Sequence, residues 1–398
     1  MTGLSLLWHA RAMSIPVARL SSFYFAYYAA LGGFSPYWSL YLHKLGQDAT
    51  AISILMSLWY ATRVVAPSLW GYAVARSPRP IRWLHLGCAL TFASFLAFVR
   101  PLDFAGLFAA MCVFCFAYNA VMPQFEALTL SHLTGQSERY GSIRMWGSIG
   151  FIAVVGVLGV LLDRFGADRL PLLMLPLFAG LLATSFVNDY GGEQRRRENA
   201  DASFYAYLKR REVAAFLVSA LLMQISFGSF YTFFAIYLGE HGYGAGAVGA
   251  FWTIGVGFEI AVFFFGAPLL TRWDARHVVA AALVCACLRW LVTALFPDSV
   301  ALIAFAQMLH AITFAGFFAG SMQLLAEFFP GRMNGHGQGV FYGFSSGIGG
   351  VSGALLSGLI WKHGGGQAAF LAGAGVAALG AAIWIFARGP RAQAVSNG

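Results

Sequence analysis

Apolar residues run along this chain in stretches of about twenty, each closed by a short polar or charged interruption. The stretches cover 17–40, 50–72, 81–99, 103–131, 139–162, 168–187, 212–238, 246–270, 277–296, 299–326, 336–361 and 367–387. About 20 apolar residues match the hydrocarbon thickness of a bilayer, whereas 10 to 14 would suit a helix buried in a soluble core. The pattern predicts an all-α membrane protein with twelve transmembrane helices. The division between spans is least marked near Pro101 and at 296–299. The first stretch, from Val17, is of full length and lacks a small-residue cleavage site after a short core, so it is expected to be a span and not a cleaved signal.

The interruptions alternate in charge. One set holds Arg11, Arg19, Arg76, Arg79, Arg82, Arg139, Arg195 to Arg197, Lys209 to Arg211, Arg272, Arg276, Arg332, Arg388 and Arg391, while the other set holds only Lys44, Arg100, Arg164, Arg169 and Lys362. Cytoplasmic connections are enriched in Lys and Arg, so the expected topology places both termini in the cytoplasm. The longest polar segment, 188–211, divides the chain near its middle. The expected units are an N-terminal six-helix bundle over 1–190, a cytoplasmic central loop over 191–211 and a C-terminal six-helix bundle over 212–398. Small residues echo between the units, with Gly141, Gly147 and Gly150 at the start of span five and Gly335 to Gly343 and Gly347 to Gly350 at the start of span eleven. Repeated units of this kind suit alternating access around a central site.

Composition narrows the class further. Of the 398 residues, 59% are hydrophobic and only 10% charged, against about a quarter charged in soluble domains. A soluble enzyme is excluded on this ground. The net charge of +9 follows from the topology and does not point to nucleic acid. Cys88, Cys112, Cys115, Cys285 and Cys287 all fall in apolar stretches. Cys112 and Cys115 lack a second ligand pair and read as core packing, not as a metal or redox site. No metal, organic cofactor or enzymatic nucleophile cluster is expected.

Ionisable groups inside the spans are the informative exceptions, because each is costly unless it meets a partner or a water-filled cavity. Arg63, Glu259, Arg289 and His310 lie near the middle of spans two, eight, nine and ten. Glu126 and Arg144 lie at matching depths in spans four and five, where an ion pair would either couple the helices or bind a polar ligand. Asn119, Gln224 and Gln307 add amides to spans four, seven and ten. These nine residues are the candidate substrate-binding or coupling set. Glu259 is expected to alternate between an ionised state paired with Arg289 and a protonated state, with His310 linking proton and solute occupancy. Tyr24, Tyr27, Tyr28 and Trp38 in span one, with Phe227 and Tyr231 in span seven, are candidate cavity aromatics.

The combination resembles the major facilitator superfamily, and within it the phenylpropionate permease branch, related to lactose permease and nucleoside:proton symporters. The resemblance rests on Gly33 to Trp38 (GFSPYW), Arg63 with Ala66 and Pro67, Tyr140 to Ser148 (YGSIRMWGS), and Glu259, Arg289 and His310. It implies a major facilitator fold and a monomeric secondary transporter in a bacterial inner membrane. The implied activity is proton-coupled symport of a small organic solute, first an aromatic monocarboxylate such as 3-phenylpropionate and alternatively a sugar or nucleoside, with drug efflux behind both. It further implies that Glu126 and Arg144 correspond to a sugar-binding pair and that Glu259, Arg289 and His310 serve solute binding or proton coupling. Two positions depart from lactose permease, where an acid and a lysine stand in place of Thr313 and Gln307. Glu259 is therefore the expected proton carrier.

Overall fold

A computed structural model describes residues 15–133, 136–190, 207–262, 273–331 and 333–387. The apolar stretches form helices α1 (Val17–Lys44), α2 (Ala49–Ala75), α3 (Pro80–Val99), α4 (Phe104–His132), α5 (Tyr140–Phe165) and α6 (Ala167–Phe186), followed by α7 (Arg211–Glu240), α8 (Ala245–Ala261), α9 (Ala275–Leu295), α10 (Val300–Phe328) and α11 (Met333–Phe386). The protein is an all-α, polytopic membrane protein. Most of the central loop expected over 191–211 lies outside the described residues, as do Arg195 to Arg197.

Among the described residues, nine of these helices are long and apolar enough to cross a bilayer. The expected span at 17–40 is a continuous 28-residue helix, α1, that falls outside the nine because Tyr, Ser and Gly residues dilute its hydropathy. The expected span at 246–270 is described only as far as Val262. The spans expected at 336–361 and 367–387 appear as one 54-residue element, α11, broken where Gly365 takes φ 73°. That angle belongs to the left-handed region that glycine enters without a Cβ clash.

Helix starts are written into the connections. Asp48 accepts from Ala51 N–H, Asp103 from Gly106 N–H and Ser299 from Leu302 N–H, each satisfying a donor that the first turn leaves free. Helices α1 to α6 pack mainly on one another, α1 against α5 and α6, α2 against α4, and α3 against α4 and α6. In the same way α11 packs on α7 and α9, and α10 on α8 and α9. The two groups meet along α5–α8, α2–α11 and α1–α7. Close helix crossings occur in both groups: a Cβ on Gly32 of α1 would lie 2.6 Å from the Phe151 carbonyl of α5, and one on Gly228 of α7 would collide with the backbone of Gly353 in α11. Small residues allow such backbone contact in lipid, where burial of apolar surface no longer drives association.

Candidate functional site

Four of the predicted residues come together between α8, α9 and α10. Arg289 is fully buried. Its Nη2 donates to Gln307 Oε1 at 2.9 Å, and its Nη1 lies 3.0 Å from His310 Nδ1 and 3.4 Å from Thr313 Oγ1. The guanidinium carbon sits 4.3 Å from the Phe230 ring centre and 4.5 Å from that of Trp290, so the cation packs against two aromatic rings. His310 Nε2 points at Glu259 Oε2 across 3.6 Å.

This geometry fixes the imidazole tautomer. A guanidinium has donors only, so the ring nitrogen facing it accepts through its lone pair. Nδ1 of His310 is that acceptor, and the ring proton resides on Nε2, directed at Glu259. A doubly protonated ring would set N–H against N–H beside a second cation, so Arg289 holds the neutral ring. The expected pairing of Glu259 with Arg289 is thereby corrected: His310 stands between them. His310 lies next to the π-helical segment Ile312–Gly316, which re-aims Thr313 toward Arg289. Local π geometry of this kind is frequent at functional sites.

Glu126 and Arg144 are near each other without touching. Among the described residues no ion pair joins them; Glu126 instead accepts a long 3.5 Å hydrogen bond from Tyr140 Oη, one turn before Arg144. Arg144 lies over the Tyr28 ring at 3.9 Å and 5.6 Å from the Tyr24 ring centre. Arg63 is exposed and makes no hydrogen bond or ion pair among the described residues. Tyr60, three residues before it on the same helix, lies edge-on to Tyr231 of α7 at 6.5 Å. Tyr60 is readable in the sequence, since it precedes Arg63 by three residues and so shares its helix face, and Tyr140 opens the YGSIRMWGS string.

The remaining candidates separate from this cluster. Trp38 is fully buried and donates Nε1 to Met111 Sδ at 3.3 Å, inside an aromatic core with Phe34, Phe95 and Phe98. Tyr27 stacks on Tyr118 at 4.2 Å, and each hydroxyl donates to the other's carbonyl. Both residues pack helices instead of lining a cavity, and Tyr24 is likewise buried against Phe125. Phe227 and Tyr231 do approach the cluster, stacked on each other at 5.7 Å with Phe227 edge-on to Trp290. The Cβ of Gln224 packs close to Gly349 of α11. Asn119 Nδ2 donates to the Trp59 carbonyl and to Thr62 Oγ1, both at 3.0 Å, which ties α4 to α2. Asn119→Ala is therefore expected to lower stability by about 1 kcal/mol, the scale of interhelical hydrogen bonds in membranes. Thermal unfolding in detergent should register this loss while solute affinity stays unchanged.

Among the described residues no group of His, Cys, Asp or Glu has metal-binding geometry. A family model described as "MFS_1 like family" matches residues 17–372. The chain belongs to this family, within the major facilitator superfamily. It is 27% identical over 310 residues to the probable 3-phenylpropionic acid transporter of Escherichia coli (strain K12), covering 76% of this chain and 80% of the relative. It is 27% identical over 282 residues to the maltose permease of Geobacillus stearothermophilus, covering 69% and 70%. Its structure is similar to that of a mutant form of the nucleoside transporter NupG, with a TM-score of 0.84 at 17% identity over 94% of this chain and 100% of the other. The protein is thus a secondary transporter of small organic solutes, embedded in a membrane.

Proposed function

We propose that the protein is a proton-coupled symporter in a bacterial inner membrane, with Glu259 as the proton carrier. The observation that carries this reading is the buried chain Arg289–His310–Glu259, in which Arg289 fixes a neutral His310 that presents its Nε2 proton to the carboxylate. Arg144, held over Tyr28 in the other helix group, is the proposed solute-binding cation. We further take the twelve predicted spans to form two six-helix bundles, 1–190 and 212–398, joined by the 191–211 loop, with both termini cytoplasmic. The alternation of Lys and Arg supports this orientation. By resemblance to its family, the transporter acts as a monomer.

The substrate reading that the comparisons favour is a sugar or nucleoside, whose hydroxyls suit Arg144, Glu126 and the tyrosines. A specific observation supports the other reading, an aromatic monocarboxylate. Three guanidiniums, Arg63, Arg144 and Arg289, face only two carboxylates, Glu126 and Glu259, inside the spans. The cation left over is Arg63, exposed and without a hydrogen bond or ion pair among the described residues, and a monoanion would balance it. Proteoliposome uptake of labelled sugars, nucleosides and 3-phenylpropionate, with and without an imposed proton gradient, separates the readings. Gradient-independent uptake, or none for any solute, would overturn the symport proposal. Arg63→Gln is expected to weaken carboxylate uptake about 10- to 100-fold, the scale of one hydrogen bond to a charged group, and to leave sugar or nucleoside uptake unchanged.

A further inference from the structure

The connection between α7 and α8 repeats the connection between α1 and α2 with one telling change. Leu45-Gly46-Gln47-Asp48-Ala49 aligns with His241-Gly242-Tyr243-Gly244-Ala245, and Gly46 and Gly242 both take φ 81°. Asp48 caps α2 through Ala51 N–H. Its counterpart Gly244 has no side chain, and α8 begins without a cap from its own segment.

The missing cap comes from the other helix group. Asp163, in the last turn of α5, accepts from Ala245 N–H through Oδ1 at 2.6 Å and from Gly246 N–H through Oδ2 at 2.9 Å. An acid in a helix's last turn meets the negative end of its own dipole, so Asp163 is poorly placed for α5 and well placed for the positive start of α8. Gly244 leaves room for this contact, since a Cβ there would lie 2.6 Å from the present position of Asp163 Oδ1. Beside it, fully buried Tyr37 donates to the Val155 carbonyl at 2.7 Å and lies 3.4 Å from that of Ala245. Side-chain hydrogen bonds thus cross between α1–α6 and α7–α11 at the α5–α8 seam.

The related seam between α2 and α11 lacks the device. Gly159 of α5 approaches the Ala245 carbonyl, and Gly358 of α11 approaches the Ala49 carbonyl in the same way. Four residues beyond each glycine stand Asp163 and Lys362 respectively. Where α2 caps itself, the facing helix offers a cation; where α8 has no cap, the facing helix offers a carboxylate.

We propose that Asp163 is an inter-bundle latch: a helix cap divided between the two halves, made only when the Lys- and Arg-poor end of the transporter is shut and lost when it opens. The latch biases the resting equilibrium toward the shut state. This inference rests on the alternating-access reading, but its test reads the seam itself and needs no solute.

The experiment is a spin-label distance measurement between Lys44→Cys and Val300→Cys, both at exposed positions of that end, in a background with the native cysteines replaced by alanine. Asp163→Asn is expected to raise the open population about 5- to 30-fold, the factor that corresponds to one strong cap. Gly244→Ser separates a latch from ordinary helix capping. Serine caps α8 locally and displaces the Asp163 carboxylate, so a latch predicts opening by the same factor, whereas a merely structural cap predicts a distance distribution like that of the parent. An unchanged distribution in Gly244→Ser, or in a folded Asp163→Asn protein, overturns the proposal. Loss of proton-driven uptake in the parent, with the distances responding as expected, would count against the symport reading and leave the latch standing.

Discussion

Glu259→Gln is expected to abolish proton-driven accumulation while sparing exchange of solute down its gradient. Glutamine preserves the size of the side chain and keeps an oxygen facing His310 Nε2, which now lies 3.6 Å from the carboxylate. It cannot take up and release a proton. A symporter whose coupling group is fixed in its neutral form passes through the solute-loaded states but no longer draws on the proton gradient. Counterflow should therefore persist within a few-fold of the parent, and the accumulation ratio in a proton gradient should fall to about one. Accumulation at the parental level would remove Glu259 as the carrier. The readout distinguishes coupling from damage, because a misfolded protein would lose counterflow as well.

Arg289→Lys, conservative in charge, is expected to cost about 2–3 kcal/mol of stability and to abolish coupled transport, since hydrogen bonds to charged groups are worth about 1.5–3 kcal/mol and partners left unmade in a buried site add to the loss. The guanidinium donates to Gln307 with one nitrogen and faces His310 and Thr313 with the other, while its plane rests against Phe230 and Trp290. A lysine ammonium is a compact, strongly hydrated charge that cannot keep this forked and stacked arrangement. The tautomer lock on His310 disappears with the fork. Thermal unfolding of the purified protein, compared with Asn119→Ala as a reference for a single lost interhelical contact, measures the difference. A lysine variant with parental unfolding and parental accumulation would refute the assigned role of Arg289.

Much of the site is legible in the sequence because lipid makes exceptions conspicuous. Arg63, Glu126, Arg144, Glu259, Arg289 and His310 stand out in apolar stretches, and burying each without compensation is costly. Their partners are less legible. Helical spacing matches depths but not rotation, so it makes an ion pair of Glu126 and Arg144, whereas the structure turns Arg144 onto Tyr28. It likewise makes partners of Glu259 and Arg289, which His310 separates. The aromatics divide for a related reason. Trp38 and Tyr27 occupy the same helix as Tyr28, yet they face Met111 and Tyr118 in the core.

Hydropathy and the alternation of basic residues, both local properties summed along the chain, thus determined membrane residence, the number of apolar stretches and the inventory of charges that lipid would not tolerate. Which of those charges meet depends on helix rotation and on the crossing of distant segments, and only the tertiary structure decided it. The same holds for Asp163. In sequence it is one acid at the end of a helix, and its role emerges only where the start of α8, 82 residues away, is left without a cap of its own.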